Sequence, residues 1–253
     1  MLFPPLLIEK GESNVHRDIL LKSHDEKHPS TELQHLLTSI GTKVKAEKDT
    51  YLFHAGENAH EIFFITSGLI EMTLLTSDGK ELSLRICKGK DMIGELTLFD
   101  EKSKYFLSAR VIQPAEIIMI PKRKLEKELM TNNALTMEYM KWSSDHMRKF
   151  QSKIRDLLLN GKKGALYSTL IRFSNSYGIQ KNNGILIDLA LTNQELAKFC
   201  ATTRESVNRM LADLKRLGVI SMVEKGKILI EDMQYLRDEI GCENCPIEIC
   251  NIN

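Results

Sequence analysis

The chain has 253 residues, 42% apolar and 27% charged, with 35 Lys and Arg against 34 Asp and Glu. These are the proportions of a soluble globular protein with room for one large domain or two ordinary ones, and a formal charge of +1 excludes a polybasic tail binder. No apolar run approaches a membrane span, and Met1 to Ile8, broken by Pro4 and Pro5, lacks the basic start and small-residue site of a signal peptide, so a cytoplasmic location is expected. Five cysteines, Cys87, Cys200, Cys242, Cys245 and Cys250, are odd in number and unevenly placed, a poor disulfide framework. In a reducing compartment, grouped thiols more often hold metal.

Residues 1–30 read as a polar extension in which His16, His24 and His28 are solvated, followed by a short helix over Thr31 to Ser39. From Lys43 to Ile120, short apolar runs alternate with turn residues. Ile62 to Thr66 ends at Ser67–Gly68. Leu69 to Thr76 ends at Ser77–Asp78–Gly79, a hairpin signal, and Leu82 to Cys87 ends at Lys88–Gly89. Val111–Ile112 and Glu116 to Ile120 complete a series expected to form an antiparallel β-roll over 31–122, with Gly94-Glu95-Leu96 inside it.

A helical stretch follows, Lys124 to Asn160, uninterrupted by Pro or Gly, with a span of roughly 50 Å. Met140, Met147 and Ile154 recur at steps of seven, and Phe150 and Leu157 each follow one of them by three. That narrow stripe is the seam two helices use to pack side by side, which makes 123–160 a candidate dimerisation helix. Gly161-Lys162-Lys163-Gly164 reads as a hinge.

Residues 161–230 carry 11 Lys and Arg against 5 acids; 231–253 carry 1 Arg against 6 acids. In the basic unit, Ala165 to Tyr177 reads as a helix closed by Gly178, and Ile185 to Leu189 as a strand. Thr192-Asn193-Gln194-Glu195 is a capping box opening a short helix to Phe199. A tight turn through Cys200 to Thr202 leads to a second helix, Thr203 to Leu217. Val219 to Ile230 is a hairpin with Lys225 and Lys227 at its tip. The sum is an α+β chain ending in a winged helix-turn-helix.

Two groups of residues carry chemistry. On the second helix Arg204, Glu205, Asn208 and Arg209 share one exposed side, and Val207, Met210, Leu211 and Leu214 face inward. Arg forks match the O6 and N7 acceptors of guanine, and a Glu carboxylate accepts from the cytosine amine, so these four are candidate base readers. Lys198, Thr203, Ser206, Lys225 and Lys227 are candidate phosphate contacts. In the acidic tail, 231–253, Cys242, Cys245 and Cys250 lie within nine residues. Thiolates so spaced can wrap one soft metal centre, an iron–sulfur cluster or a zinc completed from elsewhere, or stand uncoordinated.

A turn-rich β-roll with Gly94-Glu95-Leu96, a long helix and a basic helix-turn-helix resemble the cyclic-AMP receptor protein/Fnr superfamily of transcription regulators. In its nucleotide-binding members an Arg-Ser pair about eight residues after that Gly-Glu-Leu holds the cyclic phosphate. Tyr105 and Phe106 stand there in this chain, so cyclic nucleotide is not expected as effector. Arg204-Glu205 with Arg209 resembles the receptor-protein type, which implies an inverted TGTGA-like repeat. The cysteine tail resembles the Fnr branch of Bacillus and relatives. That resemblance implies a 4Fe–4S cluster with an aspartate from the end of the long helix, here Asp156, as fourth ligand. It further implies a homodimer that responds to oxygen, contacts RNA polymerase and activates genes of nitrate respiration and fermentation. Two other readings stay open. One is a regulator sensing a small molecule in the β-roll, with a zinc tail. The other is a cupin-like metalloenzyme built on His54 and His60.

Overall fold

The computed structural model describes residues 28–75, 79, 81–223, 226–243 and 245–253. His16, His24, most of the Ser77–Asp78–Gly79 turn and Lys225 lie outside the described residues.

Helix α1, Thr31–Ile40, starts where the Ser30 side chain accepts from the Leu33 amide at 3.1 Å, and it buries Leu33 and Leu37 on one face. Strands β1 (Thr42–Ala46), β2 (Tyr51–Phe53), β3 (Glu61–Leu75), β4 (Glu81–Cys87), β5 (Met92–Ile93) and β6 (Ser108–Pro121) follow. They pair antiparallel in the order β1-β6-β3-β4, with β2 on β6 and β5 on β3. Ser67–Gly68 does not turn the chain, as the sequence suggests it should. β3 runs on through it with register shifts between Ile65 and Ile70. Gly68 sits at φ +91, where a Cβ would meet the Pro114 carbonyl at 2.4 Å, so the glycine serves a bulge. Val111–Ile112 and Glu116–Ile120 likewise belong to one strand, β6. Phe53, Ile65, Ile70, Tyr105, Val111 and Ile117 fill the roll, and Ile62, Phe64, Ile118 and Ile120 pack on its helices.

The helical stretch is two helices, α2 (Lys122–Thr131) and α3 (Asn133–Leu159). Asn132 makes the break. It leaves helical geometry at φ −127, ψ 93, and its side chain accepts from the Leu135 amide at 3.2 Å. An Asn cap competes with helix continuation as Pro or Gly would, which inspection for Pro and Gly alone does not detect. The 27 residues of α3 span about 40 Å. The helix has two apolar stripes. Leu135, Tyr139 and Trp142 are buried against the roll, whereas Met140, Met147 and Ile154 of the heptad stripe are 56%, 44% and 47% exposed.

Helix α4, Gly161–Tyr177, begins earlier than expected. The hinge narrows to Asn160–Gly161, with Gly161 at φ +59, and Gly164 is already inside the helix. Lys163 therefore lies in a first helical turn and pairs with Glu239 at 2.7 Å.

Strands β7 (Gly178–Lys181) and β8 (Gly184–Ile187), helices α5 (Asn193–Phe199) and α6 (Arg204–Arg216), strands β9 (Ile220–Val223) and β10 (Lys227–Ile230) and helix α7 (Met233–Glu239) complete the chain. The sheet order is β7-β8-β10-β9. Leu166, Leu170, Phe173, Phe199, Val207 and Leu214 form the core of this unit, and Ile86 of β4 joins it from the roll. Lys153 of α3 sits at that junction. It donates to the Ser83 and Leu84 carbonyls at 3.1 and 2.8 Å over the Phe199 ring, and burial lowers its pKa to about 7. Cys87 and Cys200 are buried core thiols. Strand β7 and helix α7 have no counterpart in the sequence reading. The sequence signals of α7 are Asp232 before it and Gly241 after it: the Asp232 side chain accepts from the Tyr235 amide at 2.9 Å, and Gly241 sits at φ +57. Among the described residues, no helix is long and apolar enough to cross a membrane.

Candidate functional site

The helix-turn-helix is built on the Thr192 capping box. The Thr192 hydroxyl accepts from the Glu195 amide at 3.2 Å, and the Glu195 carboxylate accepts from the Thr192 amide at 2.7 Å. Both bonds satisfy otherwise orphaned helix donors, so Thr192→Ala will cost about 1 kcal/mol in thermal or urea unfolding. Ala201, at φ +48, makes the tight turn, and Thr203 caps α6 by accepting from the Ser206 amide at 3.3 Å. Val207, Leu211 and Leu214 are buried and Met210 is half-buried, which leaves Arg204, Glu205, Asn208 and Arg209 exposed along the first turns, as expected. The Glu205 carboxyl is held below its usual range by its own backbone amide and the Thr203 hydroxyl, so it stands as an ionised acceptor. Asn193 of α5 donates to the Asn208 side chain and steadies it across the turn.

The candidate phosphate contacts divide. Thr203 and Ser206 stand at the N-terminus of α6, hydroxyl to hydroxyl at 3.1 Å. Lys198 is turned inward to pair with Glu81 of β4, and Lys227 pairs with Asp188. Both lysines are engaged within the chain in this conformation.

The second group converges at the end of α3. A cavity of about 210 Å³ is lined by Asp156, Cys242, Cys245 and Cys250, together with Arg155, Ser168 and Ile240. Asp156 is buried. Its Oδ2 accepts from Ser168 Oγ and from Arg172 Nη2, each at 2.6 Å, and its Oδ1 accepts from Arg155 at 3.2 Å. Arg155 also pairs with Glu243 of the tail. A hydrogen bond from Cys250 holds the Cys245 thiol down at about 6, and the same bond and burial push Cys250 up. The thiolate is the form that binds metal, and the bond lowers the Cys245 pKa towards it. Among the described residues, no three His, Cys, Asp or Glu side chains stand at metal-holding distances. The four share a cavity without closing on one point. Arg172, Ser168 and Arg155 escaped the sequence reading. Arg172 had a signal, a lone charge in the apolar run Leu170-Ile171-Arg172-Phe173.

Residues 43–132 match the cyclic nucleotide-binding domain model and residues 165–239 the Crp-like helix-turn-helix domain model. The chain is 63% identical over 224 residues to the anaerobic regulatory protein of Bacillus subtilis, covering 88% of this chain and 94% of that one. The chain belongs to the Crp/Fnr family. A lactate racemization regulatory protein of Lactiplantibacillus plantarum is 30% identical over 83% of this chain and 98% of its own length. In fold, the chain matches the c-di-GMP responsive regulator CLP of Xanthomonas campestris with a TM-score of 0.70 at 19% identity, over 79% of this chain and 99% of that one. A CooA mutant from Carboxydothermus hydrogenoformans matches with a TM-score of 0.69 at 20% identity, over 81% and 90%. The protein is therefore a transcription regulator with a DNA-binding domain, and the metalloenzyme reading on His54 and His60 is set aside.

Tyr105 is buried, stacks on Phe53 at 3.7 Å between ring centroids and donates to the Glu61 carbonyl at 2.7 Å, while Phe106 is 76% exposed. Glu95 is buried against Arg85 at 3.3 Å, and burial raises its pKa. The aromatic pair offers a phosphodiester no cation, and the one buried guanidinium nearby is already matched by Glu95 and the Met92 carbonyl.

Proposed function

We propose that this protein is a cytoplasmic, oxygen-responsive regulator of anaerobic gene expression whose DNA binding is controlled by a 4Fe–4S cluster held by Cys242, Cys245, Cys250 and Asp156. One observation carries the reading: three tail thiols and a buried carboxylate from a helix far away in sequence line the same cavity. The donor set fits the group. It comprises three soft sulfur ligands and one hard oxygen ligand pre-oriented by two hydrogen bonds. The name of the Bacillus subtilis relative, anaerobic regulatory protein, supports the anaerobic part of the reading.

When bound, the cluster supplies a centre that oxygen can attack, with a carboxylate as its exchangeable corner. The chain's own residues do the rest. Asp156 waits on α3, held by Ser168 and Arg172; Cys245 and Cys250 bring the tail against it. The exposed Met140, Met147 and Ile154 stripe is the seam for a second copy, and a dimer sets two α6 helices about 34 Å apart for an inverted TGTGA-like repeat. RNA polymerase is the downstream partner, and genes of nitrate respiration and fermentation are the targets.

The test is iron and acid-labile sulfide analysis of anoxically purified protein, with operator affinity measured with and without the reconstituted cluster. Iron with sulfide and a cluster-dependent affinity support the reading. A second reading, a small-molecule sensor with a zinc tail, draws on the cavity of about 400 Å³ between the β-roll and α3, lined by Phe53, Met72, Tyr105 and Phe150. Zinc without sulfide would favour it.

A further inference from the structure

Arg172 touches Asp156, and among the described residues it is the largest fully buried side chain, 1% exposed. Its donors reach five acceptors. Nε donates to Ser168 Oγ at 3.3 Å. Nη1 donates to the Ile249 carbonyl at 3.2 Å and to the Asn251 carbonyl at 3.4 Å. Nη2 donates to Ser152 Oγ at 2.9 Å and to Asp156 Oδ2 at 2.6 Å. A guanidinium buried this deeply is costly unless its donors are matched, and its planar fork fixes the direction of each. The acceptors come from three places at once: Ser152 and Asp156 on α3, Ser168 on α4, and the tail carbonyls on either side of Cys250.

The tail continues from there into the body of the protein. The Cys250 carbonyl accepts from Asn175 of α4, and the Ile252 amide donates to Ser176 Oγ at 3.0 Å. The Ile252 carbonyl accepts from the Ile86 amide of β4 at 3.1 Å, and its side chain is buried in the core shared by α4 and Ile86. The backbone that Arg172 grips thus runs straight into the seam between the DNA-binding unit and the β-roll.

We propose that Arg172 is the positioning residue of this site. One side chain sets the Asp156 carboxylate and the backbone flanking Cys250, so that ligands from α3 and from the tail are in register before iron arrives. The same grip seats residues 251–253 against β4. Lysine keeps the charge but has no fork, and it cannot hold the carboxylate and two carbonyls together. The iron arm of this proposal rests on the cluster reading; the seating arm does not.

The experiment uses the full chain and Arg172→Lys. In the metal-free proteins, amide hydrogen exchange is followed at Ile86, whose amide donates to the Ile252 carbonyl, with Ile118 of β6 and Leu214 of α6 as controls. In the anoxic proteins, reconstituted with ferrous iron and sulfide, the iron retained against a chelator is measured. The expected result is Ile86 exchange faster by tenfold or more with Ile118 and Leu214 unchanged, and iron retention weaker by about 10–100-fold. Unchanged Ile86 exchange and unchanged retention overturn the proposal. Faster exchange at Leu214 to the same degree as at Ile86 also overturns it, because Arg172 would then be ordinary core. Should Arg172→Lys not fold, Arg172→Gln, which leaves no buried cation without its matched acceptors, is put through the same two measurements with the same expected and overturning results. If the wild type takes up no iron, the cluster reading fails, and Ile86 exchange still decides the clamp.

Discussion

Cys245→Ser protein, prepared without oxygen, is expected to carry no cluster and to bind its operator as weakly as metal-free wild type in air. Cys245 lines the cavity beside Asp156, and the Cys250 hydrogen bond lowers its thiol pKa. Serine is close in size but is a poor ligand for iron, and three remaining donors leave one corner open. The loss should approach the gap between specific and non-specific binding, on the order of 10³-fold or more. Iron and sulfide analysis beside a mobility-shift titration measures it. Cys87→Ser is the control, because Cys87 is buried in β4 away from the cavity and bonded by Arg85 at 2.8 Å. A Cys245→Ser protein that keeps iron, or that binds the operator as the loaded wild type does, removes this thiol from the ligand set.

The second large effect is at the reading helix. Arg204→Ala should weaken binding to the cognate half-site by about 1–3 kcal/mol and relax preference at one G·C pair. Arg204 and Glu205 open α6 on its exposed side, where a helix laid in the major groove meets base edges. Neither belongs to the hydrophobic core, so the fold should be unaffected. Competition between operators altered one base pair at a time gives the readout. Equal weakening on every sequence would make Arg204 a phosphate contact and remove the base-reading role. Lys198 and Lys227 give a contrast. Each is already paired within the chain, with Glu81 and Asp188, and must leave that partner before it can meet a phosphate.

Local signals were reliable where one residue type decides one local geometry. The capping box at Thr192, the two reading-helix faces and the heptad stripe on α3 all lie where pattern and propensity place them. Expectations failed where one chemistry has two structural uses. Gly68 can make a turn or a bulge, and the neighbouring strand β6, not the local sequence, selected the bulge. Asn132 can continue a helix or cap a new one, and the burial of Leu129 and Leu135 on either side favoured the cap.

The sequence by itself determined the order of the units, a β-roll, a helical stretch with a heptad stripe, a winged helix-turn-helix and a thiol-bearing tail. Each is specified by periodicity, caps and spacing within a few tens of residues. It also named the cavity's thiols, because cysteine spacing is local. Only the tertiary structure decided that Asp156 faces those thiols, that Arg172 reaches α3, α4 and the tail together, and that Ile252 closes on Ile86. Apart from the Arg172 bonds to α3, 16 and 20 residues away, those contacts join positions about 80 to 170 residues apart, roughly Asp156 to Cys242 and Ile86 to Ile252. Partners at that range are chosen by how helices and sheets pack and by which buried donors still need an acceptor, and no local pattern encodes either.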